Sequence, residues 1–157
     1  MDLMNLEYLE HHARHIPALA LWHHDQWSYL NPRRTLDERA ERLQSHLGGR
    51  RMPTTVVAVE GESLLGSASL IENDLPTRTD LSPWLASVFV PEEHRRRGIG
   101  SALVRRIVEE AGALGYEKLY LFTMDQERLY AALGWKTFER AVYNEVEIVL
   151  MSYELDA

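Results

Sequence analysis

Leu103, Val104, Ile107, Val108 and Ala111 recur every three or four positions. That spacing gathers them on one face of a helix from Ser101 to about Leu114, which Gly115 closes. Apolar runs on either side read as strands: Trp84–Val90 (WLASVFV) before the helix and Lys118–Thr123 (KLYLFT) after it. Upstream, Thr54–Glu60 (TTVVAVE) and Ser63–Glu72 (SLLGSASLIE) flank a Gly61-Glu62 turn and predict a hairpin. A short strand is expected near Asn5–Glu10. The partial stripe of Ile16, Leu19, Ala20 and Trp27 predicts a helix from about Arg14 to Tyr29, and Asn31-Pro32 punctuates it. Thr35 and Glu38 have capping-box spacing and open a second helix to about Leu47, with Gly48-Gly49 as its stop. Asn73–Ser82 and Pro91–Arg97 are polar connections. A short helix, Asp125–Leu133, ends at Gly134 as a left-handed cap, and Trp135–Val142 and Glu145–Glu154 are the last strands. This order predicts an α/β fold in a single domain over residues 1–157, with a mixed, mostly antiparallel sheet flanked by helices.

Composition narrows the function classes. The 157 residues are the length of one ordinary domain and suffice for a real core. Seventeen Lys and Arg against 24 Asp and Glu give a net charge of −7. That argues against broad nucleic-acid binding, which needs basic surface, and is compatible with a cationic partner such as an amine. The chain has no cysteine. Disulfides, thiolate metal sites and a cysteine nucleophile are therefore excluded, and a reducing compartment fits. No signal-like or membrane-length apolar run is visible, so a cytoplasmic protein without a membrane partner is expected. His11-His12, His23-His24 and His94 lack a metal-site partner motif, and no metal is expected. The sequence leaves open whether two copies pair as a homodimer.

The segment with most chemical content is Arg95-Arg96-Arg97-Gly98-Ile99-Gly100-Ser101, a glycine-rich turn between a strand and a helix. Free amides and the helix dipole at such a start favour an anion, glycine permits positive φ and close approach, and the arginines add charge. A plain tight turn explains the two glycines equally well on their own. No third glycine follows at Leu103, so the pattern is not a dinucleotide fingerprint. No Gly-Lys-Ser/Thr follows either, so it is not a Walker loop.

Two motifs in order make the pattern specific. Arg95-x-x-Gly98-x-Gly100, preceded by a strand and Pro-Glu-Glu-His, resembles the acyl-CoA pyrophosphate loop of the GCN5-related N-acetyltransferase (GNAT) family. Leu129-Tyr130-Ala131-Ala132-Leu133-Gly134-Trp135 resembles that family's Tyr-x-x-Leu-Gly-Phe/Trp segment. The resemblance is detailed from Trp84 to Phe138 and architectural elsewhere. It implies a GNAT-like acyl-CoA N-acyltransferase fold with cofactor wedged between Trp84–Val90 and Lys118–Thr123. It implies that Val88, Phe89 and Val90 offer backbone groups to the pantetheine arm. Arg95 would occupy the family's Gln/Arg position, and Arg96, Arg97, Gly98, Ile99, Gly100 and Ser101 would bind the pyrophosphate. Tyr130 would hydrogen-bond the thioester sulfur and protonate the leaving thiolate. Thr123 or Gln126 stands in for a loop asparagine common among relatives.

The resemblance thus implies acetyl transfer from acetyl-CoA to a primary amine, a small one foremost, by direct attack in a ternary complex. A protein N-terminus or lysine is the alternative acceptor. An acyl-CoA-binding sensor without turnover is the alternative of another class. The general base is open. Several relatives carry a glutamate on the strand that here reads WLASVFV and has no acid. Glu72, Asp74 and Asp80 lie just upstream, and Glu72 is favoured slightly over Asp80 as the catalytic base. Trp22, Trp27, Trp84 and Tyr143 are aromatic candidates for an acceptor pocket or for plain packing.

Overall fold

A computed structural model describes residues 3–155. Its centre is a seven-stranded sheet in the order β1-β2-β3-β4-β5-β7-β6. The strands are β1 (Met4–Tyr8), β2 (Thr54–Glu60), β3 (Ser63–Ile71), β4 (Trp84–Phe89), β5 (Lys118–Thr123), β6 (Lys136–Tyr143) and β7 (Val146–Glu154). Every neighbouring pair is antiparallel except β4 and β5. Their parallel connection runs through α3 (Ile99–Ala113), as a parallel crossover requires.

Side-chain alternation divides the core. On β2, Val56 and Ala58 face α3 and meet Leu103, Val104, Ile107 and Ala111. Val57 and Val59 point the other way, against Ile16 and Leu19 of α1 (Ile16–Trp27) and Leu43 of α2 (Leu36–Gln44). Burial on both faces explains why β2 reads as a continuous apolar run. Among the described residues no helix is long and apolar enough to cross a membrane.

Several boundaries move for identifiable reasons. The first strand ends at Tyr8, and Leu9–His15 forms 3₁₀ turns broken by a kink at His12 in place of the last predicted strand residues. The capping box of α2 forms as expected: Glu38 N donates to Thr35 Oγ1 at 3.1 Å and Thr35 N to Glu38 Oε1 at 3.0 Å. The helix stops at Gln44, short of Gly48-Gly49, where Ser45 Oγ turns back to the Arg42 carbonyl at 2.6 Å. Helix α3 begins at Ile99, two residues before the predicted start. The β6–β7 turn is Asn144-Glu145, both at positive φ (48° and 67°). Glutamate is rare in such a primed turn, which is why Glu145 reads as strand in the sequence.

Candidate active site

Strand β4 carries an irregularity that the sequence does not announce. Ser67 pairs with Phe89 and Ser69 with Ala86, so β4 holds one more residue than β3 across the same interval. Ser87 takes up the extra length at φ 53°, a β-bulge in a β-branch-free position. Gly66 makes room for it: a Cβ there would lie 2.8 Å from the Phe89 carbonyl oxygen. On its other edge β4 meets β5 only at Trp84 and Tyr120. Beyond that pair the two strands part, and Val88, Phe89 and Val90 line the resulting cavity, about 540 Å³ in volume.

One end of the cavity is the start of α3. His94, Arg95, Arg96, Gly98, Ile99, Gly100 and Ser101 all line it. Ala102 N reaches the Gly98 carbonyl at 3.0 Å. The amides before it in the first turn have no helical partner, an arrangement that favours an anion. Positive φ falls at Arg96 (67°) and Gly98 (76°), not at Gly100, which is already helical. Gly100 matters for its missing side chain: a Cβ there touches only Val90 Cγ2 at 3.7 Å. The protein leaves that space free. Arg95 Nε is fixed to the Val90 carbonyl at 2.9 Å. Arg97 departs from the expected set: it turns away to Glu60 (2.9 Å) and does not line the cavity.

Tyr130 stands further along. It lies on α4 (Glu127–Ala132), whose end explains the Leu-Gly-Trp sequence that follows. Trp135 N donates to the Tyr130 carbonyl at 3.0 Å and Gly134 N to the Ala131 carbonyl at 3.1 Å. With Gly134 at φ 100°, this is a Schellman cap. Its usual apolar contact is the Trp135 ring packed edge-on to Tyr130, 6.1 Å between centroids. The motif therefore locks the tyrosine's backbone and ring together. Burial, then the nearby charges of Asp125 and Asp74, push the phenol up to about 12. It stays protonated and able to donate. Thr123 is buried and its Oγ1 accepts from Gln126 N at 3.0 Å. Both residues line the cavity beside Tyr130.

The upstream acids separate cleanly. Glu72 is exposed and outside the cavity lining. Asp80 is exposed as well, bound to Arg78 through two oxygens at 3.0 Å, which holds its carboxyl below the ordinary range. Neither favoured candidate is brought to the site. Asp74 is: it lines the cavity together with Tyr130. Burial raises its carboxyl to about 7, against the opposing pull of Arg42 and Arg34. Its signal in the sequence was faint, one acid among three in a polar loop. Of the aromatic candidates, Trp27 lines the cavity. Trp84 is fully buried core, and the Tyr143 hydroxyl donates to Asn31 Oδ1 at 2.8 Å. Trp22 packs on Phe89, 5.6 Å between centroids. Among the described residues no group of three or more His, Cys, Asp or Glu is placed to hold a metal ion.

The model of the Acetyltransferase (GNAT) family matches residues 16–135. The chain belongs to the GNAT family. Human N-acetyltransferase 8 is 34% identical over 84 residues, 51% of this chain and 37% of that protein. The chain thus spans well under half the length of that curated relative. Among solved structures, the fold matches an aminoglycoside 6′-N-acetyltransferase complexed with coenzyme A (TM-score 0.75, 16% identity, 99% of this chain and 98% of that one). It also matches spermidine N-acetyltransferase from Vibrio cholerae in complex with CoA and spermine (TM-score 0.71, 20% identity, 97% and 95% covered). The matched residues of the GNAT model include β4, the start of α3 and Tyr130.

Proposed function

We propose that this GNAT chain transfers an acetyl group from acetyl-CoA to a small primary amine by direct attack in a ternary complex. The observation that carries this reading is one continuous cavity joining the α3 amides, the unpaired edge of β4, Tyr130 and Asp74. The pyrophosphate would sit on the amides of Ile99, Gly100 and Ser101, beside Arg95 and Arg96. The pantetheine arm would pair with the open edge at Val88–Val90, and a backbone amide there would polarise the thioester carbonyl. The amine nitrogen attacks the carbonyl carbon and a C–N bond forms. Asp74 takes the proton from that nitrogen, whose N–H becomes acidic as the bond forms. The C–S bond then breaks, and the thiolate takes the proton of the Tyr130 hydroxyl. Asp74, in place of Glu72 or Asp80, supplies the base because it alone of the three lines the cavity with Tyr130.

Acetyl-CoA consumption against a panel of amines and peptides tests the reading. Tyr130→Phe is expected to lower kcat by about 10²-fold or more. Unchanged turnover of every accepted amine would remove the leaving-group role. Since Asp74 titrates at about 7, kcat is expected to rise with pH through that value, and Asp74→Asn to erase that limb. A limb that survives in Asp74→Asn assigns the base elsewhere.

A further inference from the structure

We propose that the acceptor is a compact amine bearing a carboxylate, an amino acid in chemical class, and that Arg34, Arg39 and Arg42 receive its acid group. This rests on the acetyl-transfer reading above and names the substrate class of the same site.

A smaller cavity of about 40 Å³ shares Arg34, Arg39, Asp74 and Ser87 with the large one. Three arginines line it, and Asp74 is the one acid among its described lining residues. Arg39 is only 7% exposed. Its Nε donates to His24 Nδ1 at 3.3 Å, and its Nη2 is closed off from solvent with no hydrogen-bond partner. None of the ion pairs among the described residues involves Arg34, Arg39 or Arg42. Burial and then the charge of Arg34 pull the guanidiniums of Arg39 and Arg42 below their ordinary value, and the charge of Asp74 offsets this only at Arg42. The neighbouring histidines add no further positive charge. Burial holds His23 at about 3 and His46 at about 4, so both are neutral.

A desolvated guanidinium without an acceptor is costly, and a carboxylate is its best-matched partner, planar and bidentate. The acid group must lie close to the amine. Asp74 lines both cavities, the large one with Tyr130 and the small one with Arg34, Arg39 and Arg42. A nitrogen delivered to Asp74 therefore has a carboxylate on the same or an adjacent carbon within reach of the arginines. The same charges repel polyamines, which sets this site apart from that of the Vibrio cholerae enzyme solved with spermine. The fold holds the cluster in place from both sides. Arg39 and Arg42 ride on α2. Arg34 sits on the preceding turn, which the β6–β7 hairpin clamps through Tyr143 to Asn31 and Asn144 Nδ2 to the Leu30 carbonyl at 2.8 Å.

The test compares acceptors that differ only in the acid. The full chain with acetyl-CoA is given leucine, leucine methyl ester and isoamylamine, the same set built on phenylalanine, glycine and β-alanine, then spermidine and a lysine peptide. Free acids are expected to exceed their esters and decarboxylated amines by about tenfold or more in kcat/KM, mainly through KM. Arg34→Gln is expected to collapse that ratio toward one. Arg39→Lys, which keeps the charge and loses the fork, is expected to reduce it less. If Arg39→Lys does not fold, Arg34→Gln, on a partly exposed turn, decides alone. Equal use of acids, esters and amines, or a preference for spermidine, overturns the carboxylate site and leaves acetyl transfer standing. A selectivity ratio untouched by Arg34→Gln overturns the assignment to these arginines. No turnover of any acceptor, the peptide included, overturns the acetyl-transfer reading and this one with it.

Discussion

Two buried charge clusters sit on opposite sides of the sheet centre and are built to opposite plans. In the first, Glu110 of α3 is completely buried and accepts from Arg50 (3.0 Å), Arg106 (2.9 Å) and the Tyr8 hydroxyl (2.7 Å). Arg106 also donates to the Leu6 carbonyl at 3.0 Å, so the cluster ties α3 to β1. Burial by itself would raise the Glu110 carboxyl, but these hydrogen bonds outweigh it and hold it below the ordinary value. In the second, Asp74 is raised to about 7, and three arginines around it lack carboxylate partners. The first cluster is satisfied from within the chain, as structural polar networks are. The second is left unfinished beside a cavity, where a substrate can complete it. Charge and burial alone do not separate structural from functional clusters here. The count of partners does.

The sharpest way to break that contrast is to delete the central acid of each. Glu110→Ala leaves two arginines without their shared acceptor and is expected to cost about 3 kcal/mol of stability in urea unfolding. Acetyl transfer per folded molecule should persist well below the melting temperature. Asp74→Asn is expected to do the reverse: kcat falls about 10²-fold, with no loss of stability. A Glu110→Ala enzyme that is fully stable but inactive would exchange the two roles and end the comparison.

The same distinction applies to a pair of glycines. Gly66 is needed by the protein, since a Cβ would press on the Phe89 carbonyl at 2.8 Å. Gly66→Ala is expected to cost about 1–3 kcal/mol, because backbone is the neighbour that must yield. Gly100 meets nothing nearer than 3.7 Å. Gly100→Val is expected to fold and to weaken CoA by about tenfold in calorimetric titration, through contact with the pyrophosphate. Unchanged CoA affinity would remove the pyrophosphate from this turn.

How legible each cluster was in the sequence follows from the range of its interactions. Helix α3, the Thr35–Glu38 capping box and the Gly134 cap were readable because each is encoded by residues a turn apart. The β4–β5 opening was implied by the two motifs beside it, not by any property of WLASVFV. The Ser87 bulge was invisible, since it arises from register against β3 and from the missing side chain of Gly66. That Glu72 and Asp80 fall outside the cavity was hidden for a related reason. Glu72, Asp74 and Asp80 are equivalent as letters in a polar loop, and only tertiary placement turns Asp80 onto Arg78 and Asp74 into the cavity. Arg34, Arg39 and Arg42 carry no motif in the sequence that marks them out. Nothing local distinguishes them from Arg33, which is exposed.

The smallest effect separates the clusters by the sign of their pH dependence. Asp74 ordinarily titrates near 3.8 and near 7 when folded. Between those values the folded chain keeps a proton that the unfolded chain has released, so stability falls as pH rises through the window and levels off above it. Asp74→Asn removes that fall. It should match the parent protein at low pH and exceed it by about 1 kcal/mol above pH 7, after screening at the open cavity. Glu110 works in the other direction. Its folded value lies below the ordinary 4.5, so its contribution is complete above that pH and is lost as pH falls through the folded value. Urea midpoints measured from about pH 2 to pH 8 for the parent, Asp74→Asn and Glu110→Gln report both slopes. The Asp74 difference should grow with pH and the Glu110 difference should shrink toward acid. Parallel curves for the two variants would mean that Asp74 is as well satisfied as Glu110, and the arginines beside it would then need no substrate to complete them.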